Sequence, residues 1–427
     1  MTFPIVYSDR AGGSTINPPR IVVTGLGAIT PLGLTAADLW QSLISGVSGV
    51  GPITRFDASA LHVRIAAEVR GFDPLAFMDA KTARRLERFA QFTVAAARQA
   101  LNNAGLVIDE SNADRIGVIM NTGGGGILKV EEEALIYEHR GPDRVSALFI
   151  PMMMPNIGAC QTSILLGARG PVMTATAACA AGIQAIVDGL RLIKCGEADV
   201  VIAGAAESAI TPMAFAGLGN MHALSRNNEN PTGASRPFDA NRDGFVFGEG
   251  AGALILERED HALARGARPI AVVSGGALTA DAHHITAPHP DGEGAARAMS
   301  RAIAMGGLKP EDIDFVCAHA TATGVGDVAE IKAIKRALGA HAYKTMVSAP
   351  KSMIGHLLGA AGAVTAIAAV LAIRDGIVPP TINYETPDPG CNLDIVPNVA
   401  RHSRVSAALA NGFGFGGQNA VALFTAP

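Results

Sequence analysis

AGIQAIVDGLRLIKCG (181–196) and AGAVTAIAAVLAIRDG (361–376) align without a gap, and each reads as a helix with apolar residues around nearly its whole circumference. A helix with no polar face belongs between layers of other elements, so both are expected in the interior. Three further segments repeat in the same order. IVVTGLGAIT (21–30) is echoed by AVVSGGALT (271–279), each a β-branched run that ends at glycines. ALNNAGLVIDESNADRIGVIM (100–120) is echoed by AIAMGGLKPEDIDFVCA (302–318), a helix end, a Gly cap, a loop and an apolar strand. GFVFGEGAGALIL (244–256) is echoed by GFGFGGQNAVALF (412–424).

Four ordered correspondences imply two related halves, 20–267 and 268–427, behind a short extension, 1–19. Each half alternates strands with helices, which predicts an α/β protein with mostly parallel sheets. Packed through the two apolar helices, the halves would build a layered α-β-α-β-α body with a cleft where equivalent loops meet.

Composition agrees with a large buried core. Of 427 residues 49% are hydrophobic and 17% charged, which excludes a disordered chain. A net charge of −4 provides no global field for nucleic acid or an anionic membrane, so an anionic partner would need a local patch. The start lacks the basic and apolar regions of an export signal, and the uncharged stretch Leu357 to Ile373 suits a buried helix better than a membrane span. Five scattered cysteines without a CxxC pair indicate neither a disulfide scaffold nor zinc, and a reducing, cytoplasmic location is expected.

TATAACAAGIQAIVDG sets Cys179 among small residues directly before the first apolar helix, where free amides and the helix dipole favour a thiolate. The bland alternative is a buried structural cysteine, the commoner fate of a free thiol. His319, in HATATGVGD, ends the apolar run 314–318, and strand ends of α/β sheets are where ligands bind. His356, in KSMIGHLLGAAG, opens the helix that the repeat sets opposite that of Cys179. A lone histidine is usually structural, but these three residues all fall at strand ends or helix starts that would face one cleft. NGFGFGGQN (411–419) can turn tightly and present amides to a ligand.

Other signals are weaker. His283, His284 and His289 lack metal-ligand spacing and read as a hydrogen-bonding loop. TGGGG (122–126) lacks the Lys-Ser or Lys-Thr of a phosphate loop. Neither suggests a metal or a nucleotide. Lys81, Arg84, Arg85 and Arg88 have the spacing of one helical face, which by default is merely solvated.

Taken together, AACAAG at Cys179, SRPFDANRDGFVFGEGAG (235–252), HATATGVGD at His319, KSMIGHLLGAAG at Lys351 and His356, and NGFGFGG (411–417) resemble the β-ketoacyl-acyl carrier protein synthases, elongating condensing enzymes of the synthase II group. The likeness runs from about Arg20 to Phe424. It implies the thiolase-type fold of two halves in five layers. It further implies that Cys179 accepts an acyl chain from a carrier protein, and that His319 and His356 assist decarboxylation of the malonyl carrier protein and stabilise its enolate. The amides of Cys179 and Phe415 would form an oxyanion hole, with Lys351 supporting the site. Phe415 would also gate the acyl pocket, and Thr321 and Thr323 would bind the pantetheine arm. The acidic carrier would give Lys81, Arg84, Arg85 and Arg88 a purpose, together with Arg226. A homodimer is implied, with no resident cofactor, since phosphopantetheine arrives on the carrier.

Ala177 and Ala181 stand where the family usually has Ser or Thr, and Ala320 and Ala322 interrupt its usual HGT pattern, which puts substrate and rate in question more than the reaction. The alternatives are a synthase of a specialised very-long-chain or polyketide-type pathway and a silent chain-length partner. The presence of Cys179 and both histidines speaks against the latter.

Overall fold

The computed structural model describes residues 19–427; of the extension expected over 1–19, all but the last residue lies outside them. Five strands form the first half of the sheet: β1 (Ile21–Ile29), β2 (Ile116–Asn121), β3 (Val172–Met173), β4 (Val200–Glu207) and β5 (Gly250–Arg258). Five more form the second: β6 (Ala271–Ala280), β7 (Phe315–Cys317), β8 (Met346–Ser348), β9 (Ala407–Gly414) and β10 (Gln418–Thr425). The helices that matter most are α1 (Arg88–Ala104), α2 (Ile157–Leu166), α3 (Ala181–Lys194), α4 (Glu293–Met305), α5 (Gly324–Leu338) and α6 (Gly359–Asp375).

The strand order is β3-β2-β4-β5-β1 in the first half and β8-β7-β9-β10-β6 in the second, the same path taken twice. Both halves also share the same directions: β1/β5 and β5/β4 are antiparallel and β4/β2 and β2/β3 parallel, as are their counterparts in order. The expectation of mostly parallel sheets is therefore corrected to mixed ones. The hairpin from β9 to β10 returns the chain without a crossover helix, and a direct return makes an antiparallel pair. The two halves join edge to edge through only two residue pairs, Val22 with Val272 and Val23 with Ala271.

Around that short joint the half-sheets enclose α3 and α6, whose side chains share one core with strands of both halves. Helix α1 covers the outer face of the first half-sheet with α2, and α4 with α5 covers that of the second, which completes five layers. Every residue of α6 from Gly359 to Ile373 is buried, as an all-round apolar helix requires. Among the described residues no helix is long and apolar enough to cross a membrane. Helices α3 and α6 approach so closely that a Cβ on Gly182 would lie 2.2 Å from the Ala363 amide nitrogen. Only glycine permits that crossing.

Candidate active site

Cys179 sits in a short 3₁₀ turn, Ala178–Ala180, that runs straight into α3. The turn is strained, with Ala178 at φ 44°. It is anchored by Asn121, whose Oδ1 accepts from Ala175 N–H at 2.8 Å and whose Nδ2 donates to the Ala181 carbonyl at 2.9 Å. On its other side lies the end of β9. Gly414 comes close enough that a Cβ would be 2.9 Å from the Ala177 carbonyl, and this approach brings the Phe415 amide to the sulfur.

His356 comes from the second half but is held by the first: its N–H donates to the Val246 carbonyl at 2.7 Å, and its carbonyl accepts from Gly248 N–H at 3.0 Å. It precedes α6 instead of opening it. Leu358 adopts φ 42°, ψ −116°, so the helix starts only at Gly359. His319 lies two residues past β7. The Glu330 carboxylate of α5 accepts from the amides of His319 at 2.8 Å and Ala320 at 2.6 Å, and from Asn411 Nδ2 at 2.9 Å. Of the two unusual alanines in this loop, Ala322 is left-handed, at φ 66°, whereas Ala320 is not among the residues of positive φ. The backbone cost of replacing glycine therefore falls on Ala322 alone.

The three expected residues converge. His356 Nε2 is 2.9 Å from Cys179 Sγ, and the imidazoles of His319 and His356 stand 5.6 Å apart, nearly perpendicular. Each imidazole touches a phenylalanine: Phe245 lies 5.2 Å from His356 and Phe413 lies 5.5 Å from His319. These two rings occupy equivalent positions of the repeated GFVF and GFGF segments, a signal that the sequence reading did not use. Glu330 was also missed, because the contact that matters is made to backbone amides eleven residues away in the chain.

The electrostatics correct one expectation. The sulfur was expected to be anionic at a helix start, but Cys179 is only 5% exposed and burial pushes its thiol up to about 12. Lys351 and the amides of Phe415 and Cys179 pull the other way without prevailing, because desolvation of the anion is the larger effect. Burial, and then the Lys351 charge, hold His319 and His356 well below the ordinary imidazole range, so both rings are neutral. Lys351 is itself buried and lowered by desolvation, with Glu330 as the main opposing charge. The resting pair is thus a neutral thiol against a neutral imidazole.

These groups open on a cavity of about 380 Å³ lined by Cys179, both histidines, Phe415, Thr321 and Thr323. The Thr321 and Thr323 hydroxyls are 3.3 Å apart, and Phe415 is 38% exposed at the mouth. The loop 281–292 also borders the cavity and leans on the hairpin tip, where Gly416 N–H donates to the Ile285 carbonyl at 2.7 Å. In that loop His284 Nδ1 accepts the amides of Thr286 and Ala287, both at 3.1 Å. Among the described residues no group of three or more His, Cys, Asp or Glu is arranged to hold a metal.

The basic face is only partly as expected. The helix Ala80–Ala83 stops at Arg84 and α1 begins at Arg88, so the four residues do not share one helix. Lys81, Arg84 and Arg85 are exposed. Arg88 turns inward, with Nη2 and Nε at 2.9 and 3.1 Å from the buried Glu249 carboxylate and the guanidinium 4.5 Å from the Phe92 ring. Its helix-like spacing concealed a core ion pair. Arg226 is exposed near the cavity mouth and donates to His222 Nδ1 at 2.9 Å.

Comparison with known proteins agrees with this constellation. The beta-ketoacyl synthase N-terminal domain family matches residues 19–262, and the C-terminal domain family matches 270–385. The chain is 52% identical over 411 residues to a 3-oxoacyl-[acyl-carrier-protein] synthase 2 of Synechocystis sp., covering 96% of this chain and 99% of that one. It is 45% identical to the protein of the same description in Coxiella burnetii, covering 94% and 97%. Among solved structures, the ishigamide ketosynthase/chain length factor matches with a TM-score of 0.91 at 36% identity, over 96% of this chain and 100% of that one. A type II polyketide ketosynthase, in complex with its acyl-carrier protein and bound to the hexaketide, matches with a TM-score of 0.89 at 32% identity over the same shares. With a thiol and two imidazoles meeting across twin halves, and with these matches over nearly its full length, the chain belongs to the β-ketoacyl synthase family.

Proposed function

We propose that the protein is a β-ketoacyl-acyl carrier protein synthase that loads an acyl chain on Cys179 and extends it by two carbons from malonyl carrier protein. The observation that carries this reading is the 2.9 Å contact of Cys179 Sγ with His356 Nε2, with a second neutral imidazole 5.6 Å away in the same cavity.

As an acyl thioester enters, the Cys179 proton passes to His356 Nε2 while the sulfur attacks the carbonyl. The resulting oxyanion is held by the Cys179 and Phe415 amides, donors of a kind each worth about 3 kcal/mol. Collapse expels the pantetheine thiolate, which recovers the proton from His356. The malonyl thioester then loses carbon dioxide. The electron pair left behind forms an enolate, whose oxygen accepts hydrogen bonds from His319 and from His356 in the neutral tautomer that carries its proton on Nε2. Its carbon attacks the acyl group, and Cys179 leaves as a thiolate that takes one proton from solvent to restore the resting thiol. Neutral imidazoles suit this role because each has an N–H to donate without trapping the substrate carboxylate in an ion pair. Thr321 and Thr323 have hydroxyls at the cavity wall for the amides of the pantetheine arm, and Phe415 stands where it can gate entry. Lys351 places a buried positive charge behind the pair, which favours the thiolate as it forms.

The acyl and malonyl groups arrive on an acyl carrier protein, and the exposed Lys81, Arg84, Arg85 and Arg226 form its docking patch. Strand β3 leaves the sheet with a free edge whose Val172 and Met173 are exposed, and α2, packed against it, carries the exposed Ile164, which supports a homodimer built on that edge.

Incubation with acyl carrier proteins of graded chain length, followed by mass spectrometry, tests the reading. An acyl mass on the peptide bearing Cys179, and its discharge as a 3-oxoacyl product when malonyl carrier protein is added, is expected. An unmodified thiol with every chain would overturn it.

A further inference from the structure

Glu207 ends β4 fully buried and without a cationic partner among the described residues. Its Oε2 accepts from Gly123 N–H at 2.7 Å and Gly359 N–H at 3.1 Å, and its Oε1 from the Thr122 hydroxyl at 3.3 Å. Gly123 belongs to the loop after β2 in the first half, whereas Gly359 is the first residue of α6 in the second. The two backbones meet so closely that a Cβ on Gly359 would be 2.3 Å from the Gly123 nitrogen. One carboxylate thus closes the seam between the halves, three residues after His356. The intervening Leu358, held at φ 42°, lines the cavity.

The same carboxylate bears on the nucleophile. Of the charged groups that act on the Cys179 sulfur, Lys351 favours the anion and Glu207 opposes it, while His356 in contact with it is neutral. Burial raises Glu207 itself to about 7, so its charge is fully present only above neutral pH, where it disfavours ionisation of the buried Glu87, which also feels Glu249.

We propose that Glu207 is a positioning residue of the condensation: by gathering the Gly123 and Gly359 amides it sets the start of α6, and with it His356, against Cys179, and its charge adds to the burial that keeps the sulfur protonated until substrate arrives. This rests on the reading of the Cys179–His356 pair given above. It accounts for a fully buried acid with no ion-pair partner at a place where a neutral acceptor would serve packing equally well.

Glu207→Gln keeps an acceptor for both amides and removes the charge; Glu207→Ala removes both. Two readouts are taken on each folded protein: acyl transfer to Cys179, and the pH profile of Cys179 alkylation by iodoacetamide, read by peptide mass spectrometry. Transfer is expected within about threefold of wild type in the Gln variant and lower by at least about thirtyfold in the Ala variant, a loss of the kind that misplaced reacting groups produce. Alkylation of the Gln variant is expected to reach its half-maximum at lower pH than wild type. Wild-type transfer in Glu207→Ala, or equal losses in both variants, would overturn the positioning role, and an unmoved alkylation profile in Glu207→Gln would overturn the role of the charge. If the Ala variant does not fold, the Gln variant decides: retained transfer with a shifted profile supports the proposal, and lost transfer or an unshifted profile overturns it. Alkylation needs no carrier substrate, so failure of the condensing reading would show separately, as wild-type protein that alkylates at Cys179 yet accepts no acyl group.

Discussion

Replacing Gly182 by alanine adds one methyl group at the point where α3 and α6 cross. It would lie 2.2 Å from the Ala363 nitrogen, 2.9 Å from the Gly362 carbonyl carbon and 3.0 Å from the Gly359 carbonyl oxygen, all backbone atoms that cannot swing aside. The helices must part by about 1 Å, and overpacking of this kind costs about 1–3 kcal/mol. Alanine also recovers about 1 kcal/mol of helix propensity, so the net loss is about 0–2 kcal/mol. Gly217, in the exposed helix Pro212–Asn220, is the control, because a Cβ there meets nothing within 4 Å. Gly217→Ala should gain about 0.5–1 kcal/mol from the same propensity effect. Urea unfolding should therefore show a gain for Gly217→Ala and none for Gly182→Ala. Because α3 begins two residues after Cys179, a helix shift of this size also displaces the sulfur, and acyl transfer in Gly182→Ala should fall about a hundredfold. If both variants gained stability, or if Gly182→Ala transferred acyl groups at the normal rate, the close crossing would not be what locates the nucleophile.

His319→Ala should leave Cys179 acylation within about tenfold of wild type but slow condensation by about 10²–10⁴, since only His356 touches the sulfur; equal losses in single-turnover assays of the two steps would refute the division of roles. Arg88→Met should destabilise by about 1.5–3 kcal/mol by removing the close charged hydrogen bonds to Glu249 and leaving it only Arg55, at 3.8 Å, as a cation, whereas charge reversal of Lys81, Arg84 and Arg85 should weaken carrier binding at low salt and leave unfolding unchanged. Calorimetry and carrier titration separate these outcomes, and a stable Arg88→Met protein would contradict the inward pairing. Glu87 is raised by burial from 4.5 to about 8, so its contribution to stability is complete below pH 4.5 and is lost as pH rises through 8. Glu87→Gln should accordingly match wild type near pH 4.5 and exceed it by a few kcal/mol at pH 9; parallel stability curves would rule this out.

The duplicated apolar helices, the repeated glycine-ended strands and the sites at Cys179, His319 and His356 were legible in the chain because they are local patterns: an all-round apolar helix has only the interior to occupy, and a residue at a strand end or helix start faces the cleft whichever neighbours it finds. Arg88 was misread for the same reason. Helical spacing states which residues can share a face, but not that the helix breaks after Ala83 and turns the fourth cation onto a buried carboxylate. Glu330 and Glu207 were invisible, since each is defined by amides it collects from distant segments.

By itself, then, the sequence determined the twofold architecture and which three side chains meet in the cleft. The state of those groups was decided only in the folded molecule: burial returned the proton to a sulfur that helix geometry alone would have ionised, and one carboxylate with no local signature, Glu207, bridges the two halves. Desolvation and cross-half contacts depend on what surrounds an atom in three dimensions, and neighbours along the chain carry no record of that.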